Sequence, residues 1–96
     1  MKTADKSALL DIVLKESGAT LSDFRSTSRL RNLCFARMAY TKIRREMGAR
    51  VEDIGNEINR DHSTVSHITA VHDSDYRYCP KYHNFFERVK KRLIIA

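Results

Sequence analysis

The sequence has little proline and glycine, one and three residues respectively among 96, and it contains no tryptophan. Because proline and glycine interrupt regular structure, their scarcity favours helices, and the alternation typical of strands is absent as well. The longest apolar runs, such as Leu93-Ile94-Ile95-Ala96, are far shorter than the roughly 18 residues that span a bilayer. No apolar segment follows the first six residues, as a secretory signal would require. We therefore expect a cytoplasmic all-α protein without a membrane partner.

Residues suited to catalysis, metal binding or nucleotide binding are also sparse. Cys34 and Cys79 lie far apart and form no CxxC motif, so we expect reduced thiols that pack as small apolar residues. His62, His67 and His72 recur every five residues, which differs from the i, i+4 spacing of a helical zinc site. The chain has no phosphate-binding Gly-x4-Gly-Lys motif and no catalytic Ser/His/Asp or Cys/His arrangement. We expect no enzyme activity, metal, cofactor or nucleotide.

The length of the chain and its charge indicate the number of domains and the kind of partner. Ninety-six residues suffice for one hydrophobic core, so residues 1–96 are expected to form a single domain. The net charge is +6, and residues 25–60 alone carry nine basic and four acidic side chains, a net +5. This concentration indicates one electropositive face and an anionic partner.

Apolar residues at helical spacing predict about six helices. The helices are expected from Ala4 to Ser17, from Leu21 to Arg25 after a Thr20 cap, from Leu30 to Met47, from Val51 to Ile58, from about Asp61 to His72, and along Tyr82, Phe86, Val89 and Leu93. Gly18 and Gly48 are expected to end the first and third helices, and the third has an apolar face wide enough for a central position. Residues 26–28 and 73–80 are rich in turn-forming residues and are predicted to be loops.

The segment from Val51 to His72 has the pattern of a DNA-binding helix-turn-helix. Gly55 lies where two nearly perpendicular helices approach most closely, and Asn59 lies where the turn needs a positive φ. The apolar residues are separated by four, seven and three positions, as Ile54, Ile58, Val65 and Ile68. Spacing alone fits a plain helical hairpin equally well.

The start of the second helix favours DNA binding. His62, Ser63 and Thr64 offer donors, acceptors and a methyl group to base edges, and free N–H groups at a helix start attract phosphate. Asp61 suits either a base contact or an N-cap.

The motif Arg60-Asp61-His62-Ser63-Thr64-Val65-Ser66-His67, preceded by Glu52-Asp53-Ile54-Gly55, resembles the C-terminal DNA-binding domain (domain IV) of DnaA, the bacterial replication initiator. The stretches 9–13, 20–24 and 29–40 resemble the opening helix, turn, basic loop and long helix of that domain. The resemblance implies a Trp-repressor-like fold with a central helix-turn-helix. The chain departs from the family where Met38 replaces a usual Gln, Asn59 replaces Gly-Gly, and Ile68 replaces Ala.

The resemblance also implies residue roles. Arg29 corresponds to a basic-loop arginine that enters the minor groove of DNA. Arg31 corresponds to a residue that contacts the DNA backbone nearby. Arg37 corresponds to a long-helix arginine at the DNA, and Arg45 to a phosphate contact. The motif residues that would contact the major groove are Asp61, His62, Ser63 and Thr64, and the neighbouring Arg60 and His67 complete the expected DNA-binding set.

These observations predict sequence-specific binding of double-stranded DNA. Because Met1 opens the chain and no AAA+ ATPase segment fits, we expect a free-standing regulator of replication or transcription, nucleoid-associated when bound, in a bacterium, phage or mobile element. A fragment excised from a full initiator, a helical protein-interaction module and a small enzyme remain alternatives. The target sequence and the oligomeric state stay open.

Overall fold

The computed structural model describes residues 6–95, and within this range it contains helices and no strand. The six helices are α1 (Lys6–Ser17), α2 (Leu21–Arg25), α3 (Arg31–Glu46), α4 (Val51–Ile58), α5 (His62–Tyr78) and α6 (Pro80–Ile95). The prediction of an all-α fold with about six helices is confirmed. The expected beginning of the first helix at Ala4 lies outside the described residues.

Helix α3 is the centre of the fold, because it contacts each of the other five helices. The wide apolar face expected from its sequence is buried on several sides, through Leu33, Ala36, Met38, Ala39, Tyr40 and Ile43. Phe24 of α2 packs edge-on against Tyr40, with ring centroids 5.5 Å apart. Burying large apolar side chains contributes roughly 1.5–3 kcal/mol each, so α3 organises much of the hydrophobic stabilisation.

The helix ends follow local sequence signals. The Thr20 hydroxyl accepts a hydrogen bond from the Asp23 N–H at 3.1 Å, which caps α2 as predicted. Gly18 and Gly48 follow α1 and α3 with φ values of 72° and 91°, the left-handed region in which glycine is unstrained. Both predicted stops are confirmed, and the connections between helices are short in consequence.

The loop predicted over residues 73–80 is wrong, because α5 continues to Tyr78 and Cys79 alone separates it from α6. The turn-forming residues Asp73 and Ser74 are exposed on the helix surface. Before and after them in the sequence, the rings of His72 and Tyr76 pack against Phe86 of α6, at centroid distances of 4.6 Å and 5.5 Å. This tertiary packing outweighs the weak local preference for a turn.

Helix α6 closes the core from the other side. Its apolar face buries Tyr82, Phe86 and Val89, with Leu93 half-buried, as the sequence pattern predicts. Phe85, which is not part of the predicted face, is buried as well. On its outer face, the Nε atoms of Arg88 and Arg92 lie 3.0 Å and 2.6 Å from the two carboxylate oxygens of Glu16. These ion pairs connect α6 to the end of α1. Cys34 and Cys79 are half-buried free thiols.

Candidate nucleic-acid interface

The turn between α4 and α5 has the close backbone approach expected of a helix-turn-helix. A Cβ atom placed on Gly55 would lie 2.5 Å from the carbonyl oxygen of Arg60, which is closer than real Cβ contacts. The Arg60 N–H donates to the Gly55 carbonyl at 2.7 Å across the same gap. The predicted close approach of the two helices at Gly55 is confirmed.

Asn59 supplies the backbone conformation of the turn. Its φ and ψ of 59° and 49° lie in the left-handed region, and it is the one non-glycine residue with positive φ in the part of the chain that the structure describes. Its side-chain amide donates to the Arg25 carbonyl oxygen at 3.2 Å. The turn is therefore tied to the last residue of α2, 34 residues earlier in the chain.

The first turn of α5 exposes a cluster of short polar side chains. Asp61 is the N-cap residue by position, but its side chain makes no capping bond to a backbone N–H. Instead, the Ser63 hydroxyl donates to the Asp61 carboxylate at 2.6 Å, and this bond lowers the pKa of Asp61. His62 is exposed beside them, with its Nδ1 atom 3.5 Å from the carboxylate. The cluster is a surface of acceptors and donors at a helix N-terminus.

A groove beside this cluster joins the basic loop to α5. Arg29, an exposed residue of the loop between α2 and α3, lines this groove together with Thr64 and His67 of α5. The groove has a volume of about 450 Å³. The other residues that line it are Cys34, Arg37, Met38, Arg60, Ile68 and Val71. Residues that are more than 30 positions apart thus form one surface with a basic edge.

Arg37 is bound by backbone carbonyls of the chain itself. Only 4% of its surface is exposed, although it borders the groove. Its guanidinium donates to four backbone carbonyls, those of Asp23, Phe24, Ser26 and Ser28, at distances from 2.7 Å to 3.1 Å. Burial lowers the pKa of Arg37, and the nearby Arg60 guanidinium lowers it further. These bonds hold the basic loop against α3, and the DNA contact implied by the resemblance stays a prediction for Arg37.

Arg60 is also engaged with the loop. It is half-buried, and its Nη2 atom donates to the Ser26 carbonyl at 2.6 Å while Nη1 donates to the Asn59 carbonyl at 3.0 Å. The Ser26 carbonyl therefore accepts from Arg60 and Arg37 together. This junction cannot be predicted from the sequence, because every residue has a backbone carbonyl and the residue type does not show which one accepts the bond.

Arg31 and Arg45 do not line the groove, and they lie at opposite ends of α3. With 16 residues at about 1.5 Å each, the helix is about 24 Å long. Both side chains are exposed, and Arg45 donates from Nη1 to the Ala49 carbonyl at 2.7 Å. The candidate set thus divides into a compact group around the start of α5 and two separate arginines.

Sequence reasoning missed a polar network that fixes α4 on α3. The Glu57 carboxylate accepts from Arg44 at 2.8 Å through each of two nitrogens and from the Tyr40 hydroxyl at 2.6 Å. Burial raises the pKa of Glu57, but the bonds from Arg44 and Tyr40 outweigh it, so the pKa is lowered overall. Burial also raises the pKa of Tyr40. The partners lie 13 to 17 residues apart, beyond the reach of any local pattern.

A tight turn through Gly55 and Asn59, followed by a helix with an exposed polar first turn, places the protein in the helix-turn-helix class. The family model for the bacterial dnaA protein helix-turn-helix matches residues 7–71, about two thirds of the chain. The chain belongs to this family, and it is a DNA-binding domain of the DnaA type. The match ends within α5, so α6 lies beyond it. A search of curated proteins found no match.

Two negative findings apply to residues 6–95. None of the helices there is both long enough and apolar enough to cross a bilayer. Within the same residues, no three His, Cys, Asp or Glu side chains are grouped as metal ligands would be.

Proposed function

We propose that this domain binds double-stranded DNA sequence-specifically, with the first turn of α5 in the major groove and Arg29 in the adjacent minor groove. The observation that carries this proposal is the groove in which Arg29 of the basic loop meets Thr64 and His67 of α5. A plain helical hairpin needs no arginine from a distant loop at this edge. Binding of this kind suits the control of replication or transcription at a defined DNA site.

Exposed Asp61 and half-buried Thr64 at the start of α5 match the chemistry of base edges. The Asp61 carboxylate can accept from the exocyclic amine of cytosine, and Thr64 offers a methyl group for contact with that of thymine. Ser63 and His62 are exposed beside them. Because these side chains contribute little to packing, they are available to a ligand without loss of the fold.

Exposed arginines in the loop before α3 and at both ends of α3 supply attraction to phosphate. Arg29, Arg31 and Arg45 are exposed, and the middle of the chain carries most of the net charge of +6. If five to seven phosphates are neutralised, log K should fall with log[salt] at a slope of roughly −4.5 to −6. A slope near zero on duplex DNA would contradict the electrostatic part of the proposal.

The main experiment is selection of bound sequences from a random duplex pool, followed by fluorescence-anisotropy titration of the selected site and of random DNA. Ser63→Ala and Thr64→Ala should lower the ratio of specific to random affinity, each base contact contributing about 1–3 kcal/mol. Binding to random DNA should change little. An unchanged ratio in both variants would contradict the assignment of α5 to the major groove, and selection of no sequence would favour a protein-interaction module.

Arg29→Ala tests the minor-groove part separately. It should weaken binding more on a site with an A·T-rich flank than on one with a G·C-rich flank, because narrow A·T-rich minor grooves concentrate negative potential. Lys91→Ala, which removes one exposed positive charge from α6, is the matched control. Lys91 suits this better than Arg88, whose guanidinium is paired with Glu16. Equal losses for both variants on both flanks would contradict the role of Arg29.

A further inference from the structure

The basic loop, residues 26–30 between α2 and α3, is held by bonds within the loop and by bonds from the rest of the domain. Within the loop, the Ser28 N–H donates to the Ser26 hydroxyl at 3.2 Å, and the Leu30 N–H donates to the Ser28 hydroxyl at 3.4 Å. These short-range bonds shape the loop but do not set its position relative to α5. That position depends on bonds from outside.

Two of these outside bonds come from the helix-turn-helix turn itself. Asn59 donates from its amide to the Arg25 carbonyl at 3.2 Å, and Arg60 donates from its guanidinium to the Ser26 carbonyl at 2.6 Å. Both donors immediately precede Asp61 and the first turn of α5. Both acceptors precede Arg29 by three or four residues. The two bonds therefore connect the two parts of the domain that contact DNA under the proposed function.

We propose that Asn59 and Arg60 are positioning residues that fix the distance and direction from the Arg29 loop to the start of α5. They thereby set the spacing, in base pairs, between the minor-groove and major-groove elements that the domain recognises. This inference rests on the proposed function, since it assigns a role to residues within that interface. A preorganised loop loses less conformational freedom on binding than a free one, so these bonds favour one spacing over its neighbours.

Arg37 makes a different contribution to the same loop. It donates to the Ser26 carbonyl from α3, the helix that directly follows the loop, so it restrains the loop close to its own end. The bonds from Asn59 and Arg60 cross to another element, 34 residues away in the chain. Among these bonds, they alone join the end of α2 and the start of the loop to the turn before α5.

The chain allows a clean removal of one of the two bonds. Asn59→Gly retains the left-handed backbone, since glycine adopts positive φ without strain, and it removes only the amide donor. Arg60→Met removes the second bond and one positive charge. The loss of the charge weakens binding to duplexes of every spacing by the same factor, so it cancels in the ratio of the affinities for the selected and the altered duplex. Asn32→Ala is the matched control, because it removes another amide-to-carbonyl bond, to Ser17 at 3.0 Å, that does not involve the turn.

The experiment compares the selected duplex with duplexes in which one base pair is inserted or deleted between the A·T-rich flank and the major-groove element. One base pair shifts the two elements by about 3.4 Å along the helix axis and also rotates them relative to each other. Wild-type protein and Asn32→Ala should lose about tenfold or more in affinity on the altered spacing, in keeping with the loss of one contact. Asn59→Gly, Arg60→Met and the double variant should bind the parent site more weakly and lose less than about threefold on altered spacing.

A merely structural role would reduce affinity for every duplex equally, so the spacing ratio distinguishes positioning from folding. Circular dichroism melting of each variant accompanies the titrations. An unchanged spacing ratio in the double variant, with a normal Arg29→Ala effect on the flank, would overturn this inference and leave the proposed function intact. A wild-type protein that responds neither to the flank nor to the spacing would overturn the proposed function and this inference with it.

Discussion

Replacing Arg37 by methionine separates its structural role from a direct role at the DNA. The substitution retains a long apolar stem and removes all five N–H donors. The carbonyl of Phe24 then loses a donor in a buried position, while those of Asp23, Ser26 and Ser28 are part-buried. Hydrogen bonds from a charged donor contribute about 1.5–3 kcal/mol each, and water can replace the less buried ones in part. We expect Arg37→Met to lower the free energy of unfolding by about 3–5 kcal/mol.

Such a loss is a large part of the 5–15 kcal/mol that typically stabilises a domain, so it should be plain in a urea titration followed by far-UV circular dichroism. Arg31→Met is the matched control, since Arg31 is an exposed arginine in the first turn of the same helix. It should change the free energy of unfolding by less than about 0.5 kcal/mol. If Arg37→Met unfolds like the control and instead loses DNA affinity, Arg37 acts at the DNA and the structural reasoning is refuted.

Three further changes test the packing of the helix-turn-helix and of α5. Gly55→Ala should cost about 1–3 kcal/mol in a urea titration, because its Cβ meets the Arg60 carbonyl at 2.5 Å; a neutral or stabilising effect would contradict the close approach. Glu57→Gln should cost about 1–3 kcal/mol, since an amide cannot replace the paired bonds to Arg44, and a melting temperature equal to wild type would argue against the network. Burial lowers the pKa of His72 from its ordinary 6.5. Because the fold favours the neutral imidazole, His72 contributes fully to stability above about pH 6.5. This contribution is lost as the pH falls from about 6.5 towards the pKa in the folded state. His72→Phe should therefore reduce the fall in melting temperature between pH 7.5 and pH 5.5, and an unchanged fall would assign it to other groups.

The features that local backbone geometry controls could be predicted from the sequence. The close approach at Gly55, the positive φ at Asn59 and the Thr20 cap each depend only on backbone groups within five positions in the sequence. The apolar spacing of α3 and α6 likewise indicates which faces are buried. These parts of the fold, including the turn that positions the start of α5, follow from short-range rules.

The remaining features depend on residues that meet only in the folded chain. The continuation of α5 rests on ring packing of His72 and Tyr76 against Phe86, which outweighs the turn preference of the intervening residues. The position of Arg37 depends on carbonyls 9 to 14 residues away, which any sequence would supply. The junction of Arg60 with Ser26 spans 34 residues. A resemblance to a family locates such arginines near the DNA but does not distinguish those that contact it from those that hold the loop.

The most direct test of the central claim is methylation interference on the site selected from the random pool. Methylation at guanine N7 blocks the major groove, and methylation at adenine N3 blocks the minor groove. We expect interference at guanine N7 in one major-groove segment and at adenine N3 in the adjacent minor groove, with the adenine signal lost in Arg29→Ala. Equal binding of methylated and unmethylated duplexes at every position would contradict it.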